Sequence, residues 1–229
     1  IVWRQRSMVQ PDLAADLRPR LCQMGANSGA DAVAAMFALQ YAFGSEAGAD
    51  HLLSQVSALL RPRGIFFGTA PDADAIIAHL RTRGDGVEST LGPPDAPFTL
   101  RLKLIGEAAS AAAGATASAP ADSGAAVSAN YLGSAKFGAE LIFSLEDTVT
   151  AGSDADGATC SEYLLHKDEL LRLGARHGLE PIEIEQMLPR PAGDHHGDRR
   201  AGPELSESEA AVAGLYFTFA LRKVGSSAD

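Results

Sequence analysis

Residues that could do covalent chemistry are few in this sequence, and their spacing does not assemble a catalytic set. The two cysteines, Cys22 and Cys160, give neither a disulfide framework nor a metal-ligand spacing. His195 and His196 lie between Asp194 and Asp198 in the polar stretch GDHHGDRR. Adjacent side chains diverge, however, and no second cluster with ligand spacing exists, so the stretch reads as a solvated loop. Glu146 and Asp147 form an acidic pair after an alternating segment and read as a loop or helix start. No His-Asp or Cys-His arrangement supplies an activated nucleophile. What remains is chemistry by binding, from a polar and aromatic loop, Gln40-Tyr41-Ala42-Phe43, and a second loop, Gly68-Thr69-Ala70-Pro71-Asp72.

The segment from Asp31 to Asp72 positions both loops. An apolar run from Ala32 to Phe37 predicts a buried strand. Ser45 can cap the helix that follows, because its hydroxyl can accept from an unpaired first-turn amide. Leu52, Leu53, Val56, Leu59 and Leu60 recur at three- and four-residue steps, which gives that helix one apolar face; Pro62 and Gly64 are expected to stop it. Ile65-Phe66-Phe67 predicts a second buried strand. Two parallel strands joined by a helix bring the loops to the carboxyl edge of a sheet, where open α/β folds bind their ligands. Asp72 is read as the cap of a further helix with Ile76, Ile77 and Leu80 on its apolar stripe.

Later elements are equally local in their signals. Leu141, Phe143 and Leu145 alternate as in a strand with one buried face, and Phe98 to Arg101 reads as another short strand. Residues 167 to 177 predict a helix ended by Gly178, with Leu170, Leu171 and Leu173 toward the sheet, and Ile182 and Ile184 mark the next strand. Ser206 and Glu209 form a capping-box pattern. Gly214 to Leu221 is apolar on both alternating faces, with Leu215, Phe217, Phe219 and Leu221 on one and Tyr216 on the other, which predicts an interior strand. Between 107 and 130, 12 alanines and 4 serines among 24 residues, interrupted by glycine and proline, predict a mobile insertion.

Composition bounds the partners. With 19 basic and 29 acidic side chains, the net charge of −10 leaves no footprint for gripping long nucleic acid, and a sliding DNA binder is disfavoured. No run of about 18 apolar residues predicts a membrane span, and the opening IVWRQRSMVQ does not resemble a signal peptide. These features predict a soluble intracellular protein. Its 229 residues are enough for one α/β domain.

Taken in order, FALQYAF, the helix ending LLRPRGIFFGTAPD, FGAELIFSLEDTV, SEYLL and LSESEAAVAGLYFTFALRK resemble segments of the eukaryotic mRNA cap guanine-N7 methyltransferases. The resemblance spans roughly residues 31 to 223 and corresponds to the carboxy-terminal portion of that family. It implies an α/β Rossmann-like class I fold using S-adenosylmethionine as methyl donor, a 5′-capped RNA end as substrate, and nuclear location. It also implies a partial methyltransferase domain over 1–223, with the insertion at about 106–130 and a tail at 224–229. The opening strand, glycine turn and helix of such a domain, and the family's cofactor-gripping lysine, are not found from Ile1 to Ala30. The chain therefore reads as amino-terminally truncated.

Residue by residue, the resemblance places Tyr41 between cofactor and guanine, with Gln40 and Pro71 beside the guanine. It assigns Glu162 to accept from guanine N1 and N2, and Tyr216 to close over the ring. Asp12, Met36 and Tyr41 fall on the cofactor side, Asp12 or Asp16 lying in a loop that would meet the adenine; no metal site is implied. Gln40 stands where the family usually has histidine and Met36 where it usually has glutamine. Gln40 cannot carry a positive charge, and Met36 lacks two donors and an acceptor. Phe37 and Phe43 are read as lining the core or the pocket. A non-catalytic cap-binding homologue and a methyltransferase of another small substrate are the alternative readings.

Overall fold

The computed structural model describes residues 12–83, 88–91, 100–105, 135–145, 161–187 and 206–225. The chain begins with α1 (Leu13–Gln23), β1 (Ala30–Met36), a 3-10 helix (Leu39–Gly44), α2 (Glu46–Leu59), β2 (Leu60–Pro71) and α3 (Ala73–Arg83). It continues with β3 (Glu88–Leu91), β4 (Leu100–Ile105), β5 (Glu140–Leu145) and β6 (Ser161–Tyr163). The last elements are α4 (Lys167–Arg176), β7 (Leu179–Gln186), α5 (Glu207–Ala213) and β8 (Tyr216–Lys223).

The described strands form two four-stranded sheets, ordered β1-β2-β8-β7 and β3-β4-β5-β6. In the first, β1 and β2 are parallel and β8 runs antiparallel between β2 and β7. The mixed sheet and its β1-α2-β2 crossover give the Rossmann-like α/β fold. The second sheet is wholly antiparallel. The insertion predicted at 106–130, Glu146 and Asp147, Cys160 and the 193–200 stretch lie outside the described residues.

Crossover geometry follows from the sequence with small changes. Ser45 Oγ accepts from Gly48 N at 3.1 Å and caps α2. Leu52, Leu53, Val56 and Leu59 are buried on the face of α2 that meets the sheet, each contributing on the order of 1.5–3 kcal/mol by burial. The helix ends at Leu59, before Pro62 and Gly64, and Leu60 already belongs to β2. Those two residues instead fall in the irregular start of β2, where the register against β1 shifts between Ala30 and Ala32. The expected loop at 68–72 is likewise strand as far as Pro71. Gly68 pairs with Ala35 and Phe219, and a Cβ there would fall on the Ala35 carbonyl oxygen, so only glycine permits this closeness of β1 and β2.

A core of Val33, Ala35, Phe66, Ala70, Phe217, Phe219 and Leu221 from the sheet meets α2 and α4. A second core, with Ile76, Ile77, Leu80, Leu141, Leu164 and Leu215, lies under α3. Interior placement of β8 agrees with its apolar sequence, although the strand starts at Tyr216 after a turn at Gly214 and Leu215. Leu170 and Leu173 are buried on α4, and β7 exposes Ile182 while half-burying Ile184. The Ser206–Glu209 capping box is complete in both directions.

Residues 13 to 19 depart further from expectation. Where a loop was expected, α1 runs through Pro19 to Gln23, because Ala14 N donates to Gln55 Oε1 at 2.8 Å and Arg18 binds the Ala58 carbonyl. Docking on α2 outweighs the poor helix propensity of the proline.

Candidate functional site

The carboxyl edge of β1 and β2 carries the site, and three separate turns of chain converge on it. β1 ends at Met36, and Phe37 then adopts a left-handed backbone with φ 50, while its amide donates to Thr69 O at 2.9 Å. That conformation is uncommon for a bulky residue. Of the two placements read for Phe37, core or pocket, it turns the residue toward the pocket: Phe37 is 49% exposed, and its ring meets Tyr216 edge-on at 5.2 Å. Phe43, by contrast, is fully buried in the core.

Tyr216 opens β8, yet it stands at the carboxyl edge of β2 because the two strands are antiparallel and Pro71 pairs with Tyr216. Burial, aided by the charge of Glu162, raises the Tyr216 hydroxyl well above the usual phenol range, so it stays protonated.

Glu162 arrives from the second sheet. β6 docks on the 3-10 helix through Tyr163, whose ring lies over Gly44; a Cβ on Gly44 would be 2.9 Å from that ring. Gly138 N also donates to Phe43 O at 3.0 Å. This docking brings Glu162 Oε1 to the Tyr41 hydroxyl, which donates to it at 2.9 Å. Glu162 lies on a strand, not at the start of a helix. Burial raises its pKa above the usual carboxylate value, while the Tyr41 hydroxyl and the Gln40 amide oppose the shift. Gln40 is itself buried; its Nε2 donates to Phe37 O at 3.1 Å, and its Oε1 has no hydrogen-bond partner among the described residues.

The geometry thus brings together Gln40, Tyr41, Pro71, Glu162 and Tyr216 and adds Phe37. Met36 is 53% exposed on the neighbouring strand end. Asp12 is not brought there: it is exposed at the start of α1, and Ala14 is fastened to Gln55, about 13 Å along α2 from its amino end. Asp16 lies within the same helix. No cluster of metal-binding side chains occurs among the described residues, and none of their helices is long and apolar enough to cross a membrane. Cys22 is exposed.

A carboxyl acceptor beside two tyrosines suits a planar base with adjacent donors. Residues 12–92 match the family model of the mRNA (guanine-N(7))-methyltransferase domain. The chain is similar to mRNA cap guanine-N7 methyltransferases. It is 32% identical over 213 residues to mRNA cap guanine-N(7) methyltransferase 1 of Oryza sativa subsp. japonica, covering 85% of this chain and 48% of the rice protein. To the Arabidopsis thaliana protein of the same description it is 29% identical over 215 residues, with 86% and 48% covered. The chain therefore spans about half the length of these relatives. Among solved structures, the CcbJ methyltransferase from Streptomyces caelestis aligns over 96% of this chain and 62% of its own, with a TM-score of 0.45 and 12% identity.

One structural feature of the site carried no sequence signal. Lys167, the first residue of α4, reaches Asp72 across the end of β2 with Nζ–Oδ2 2.7 Å. No motif links two residues so far apart in the chain.

Proposed function

We propose that this chain forms the guanine-binding part of an mRNA cap guanine-N7 methyltransferase, which uses S-adenosylmethionine to methylate N7 of the cap guanine of a 5′-capped RNA. The observation that carries the reading is the Tyr41–Glu162 hydrogen bond, with Tyr216 beside Glu162, at the carboxyl edge of the sheet. A carboxylate accepts two donors at once, which guanine presents at N1 and N2. The ring faces of Tyr41 and Tyr216 are suited to hold the purine by stacking, and Pro71 limits how far it can slide along β2.

S-adenosylmethionine, when bound, supplies a methyl group activated on a sulfonium. The chain's own residues fit such a group: Met36 and Phe37 present about half of their apolar surface at the strand end, and the unpaired Gln40 Oε1 lies buried next to them. Guanine N7 carries a free lone pair, so transfer needs no general base from the protein. The work of these residues is positioning, and a displacement of about 1 Å could cost roughly a hundredfold in rate. Glu162 has a further role, because its negative charge favours the purine as positive charge moves onto it. The acidic balance of the chain agrees with capture of one RNA end and not of a long duplex. A nuclear location follows from this substrate and is checked by imaging the tagged protein.

The deciding experiment captures the endogenous protein through its carboxy-terminal region. Methyl transfer from labelled S-adenosylmethionine is then measured on RNA ending in GpppG and on RNA already methylated at N7. Transfer to the first alone supports the reading; no transfer to either, with a known cap methyltransferase active in parallel, overturns it.

A further inference from the structure

Asp72 is 2% exposed, an unusual setting for a carboxylate, and it lies where the three segments of the pocket meet. Its Oδ1 faces the first turn of α3, accepting from Asp74 N at 3.1 Å and Ala75 N at 3.4 Å. Its Oδ2 accepts from Lys167 Nζ at 2.7 Å, and that ammonium sits 5.8 Å from the centroid of the Phe217 ring. The Asp72 amide donates to Leu215 O at 2.8 Å, immediately before Tyr216. Ala73 N donates to Leu165 O at 3.1 Å, in the connection between β6 and α4. Pro71 therefore adjoins one end of the ion pair, Tyr216 follows a residue bonded to it, and Glu162 lies five residues before its lysine.

We propose that Asp72 and Lys167 are a positioning pair that sets the distance of Glu162 from Pro71 and Tyr216, and so determines how well guanine is held. This inference rests on the assignment of those residues to the guanine pocket. The helix cap alone needs one carboxylate oxygen and no cation. Asp72 is buried and Lys167 partly exposed; an ion pair that desolvates a carboxylate in this way is a weak source of stability, so its value lies in fixing geometry. Other ion pairs of α4 do different work: Arg172 and Arg176 bind Glu46 on α2, and Lys136 binds the exposed Asp168. None of these touches the end of β2. Among the described residues Lys167 ties Asp72 at the end of β2 to the start of α4, beside His166, whose Nδ1 lies 3.6 Å from Asp74 Oδ1.

The test uses the full-length protein with Lys167→Met, Lys167→Arg, Asp72→Asn and, as control, Lys136→Met. Dissociation constants are measured for GpppG-capped RNA and for S-adenosylhomocysteine, together with Tm. Lys167→Met and Asp72→Asn are expected to weaken capped-RNA binding by roughly tenfold or more, with S-adenosylhomocysteine affinity unchanged. Lys167→Arg should restore binding to within about threefold, since it keeps the charge, and Lys136→Met should behave as wild type. Unchanged capped-RNA affinity in folded Lys167→Met and Asp72→Asn overturns the proposal. So does a parallel loss of both affinities that tracks Tm and is not rescued by arginine. If wild type itself binds no capped RNA, the pocket assignment fails and the positioning role with it; if wild type binds and the variants match it, the positioning role alone fails.

Discussion

Replacing Glu162 by glutamine is the most direct probe of the pocket, because it keeps shape and removes charge. The carboxylate accepts from Tyr41 at 2.9 Å and is approached by the Gln40 amide, which leaves acceptor sites for a ligand with two donors. Glutamine retains one acceptor oxygen and sets an N–H against the second donor of the base. One charge-assisted hydrogen bond is lost and the other becomes neutral, together about 3 kcal/mol, or roughly a hundredfold in Kd. Anisotropy of a labelled capped RNA reads this directly, and a cap carrying inosine, which lacks the 2-amino group, isolates the second donor. Wild type should discriminate guanine from inosine and Glu162→Gln should do so far less. Stability should move the other way. Burial raises the Glu162 pKa, so the folded state holds the proton more tightly than the unfolded chain. That contribution is complete below the ordinary glutamate pKa and is lost as pH rises through the raised value. At neutral pH the charged residue is a cost, and Glu162→Gln should not lower Tm. Capped-RNA binding within about threefold of wild type in the folded variant would refute the proposed contact.

Three further outcomes follow from the same geometry. Capped-RNA affinity should fall as pH drops through the raised Glu162 pKa, and Tyr41→Phe, by removing the hydroxyl that opposes the shift, should move this midpoint to higher pH in a binding titration. Gln40→His should move it to lower pH, since an imidazolium beside Glu162 favours the carboxylate. Gly68→Ala should destabilise the fold by about 3 kcal/mol, read by denaturant unfolding, because its Cβ meets the Ala35 backbone and not a side chain that can turn away.

Much of this arrangement was legible because its signals are local. The α2 stripe, the Ser45 and Asp72 caps, the Ser206–Glu209 box and the interior character of β8 each depend on residues within a few positions of one another. Misread features depend on distant partners. Asp12 and Asp16 were read in a loop, but Asp16 lies within α1, which is held by Gln55 and Ala58 of α2. Phe37 closes an apolar run read as a buried strand, yet β1 ends at Met36 and the backbone of Phe37 turns it outward. The 68–72 segment was read as a loop and is strand as far as Pro71, because it pairs with both β1 and β8. The second sheet was invisible as a sheet, since antiparallel pairing of β4 with β5 crosses more than thirty residues of alanine-rich sequence with no periodic apolar signal. Asp72 could be read as a cap from its neighbours, whereas its lysine partner lies 95 positions away.

Gln40 shows how a departure from the family pattern can be accommodated. Its Nε2 is committed to Phe37 O, which holds the left-handed residue that packs against Tyr216. A neutral amide in this place supports the pocket's shape and opposes the shift only by a hydrogen bond, so burial still holds the Glu162 pKa above the usual carboxylate value. The compensating donors must then come from the ligand, and a base with two adjacent N–H groups gains more here than at a carboxylate already paired with a cation. A base with acceptors at that edge would instead place lone pairs against the charge. On the proposed reading, a neutral amide at Gln40 therefore leaves guanine recognition to depend more on Glu162 itself.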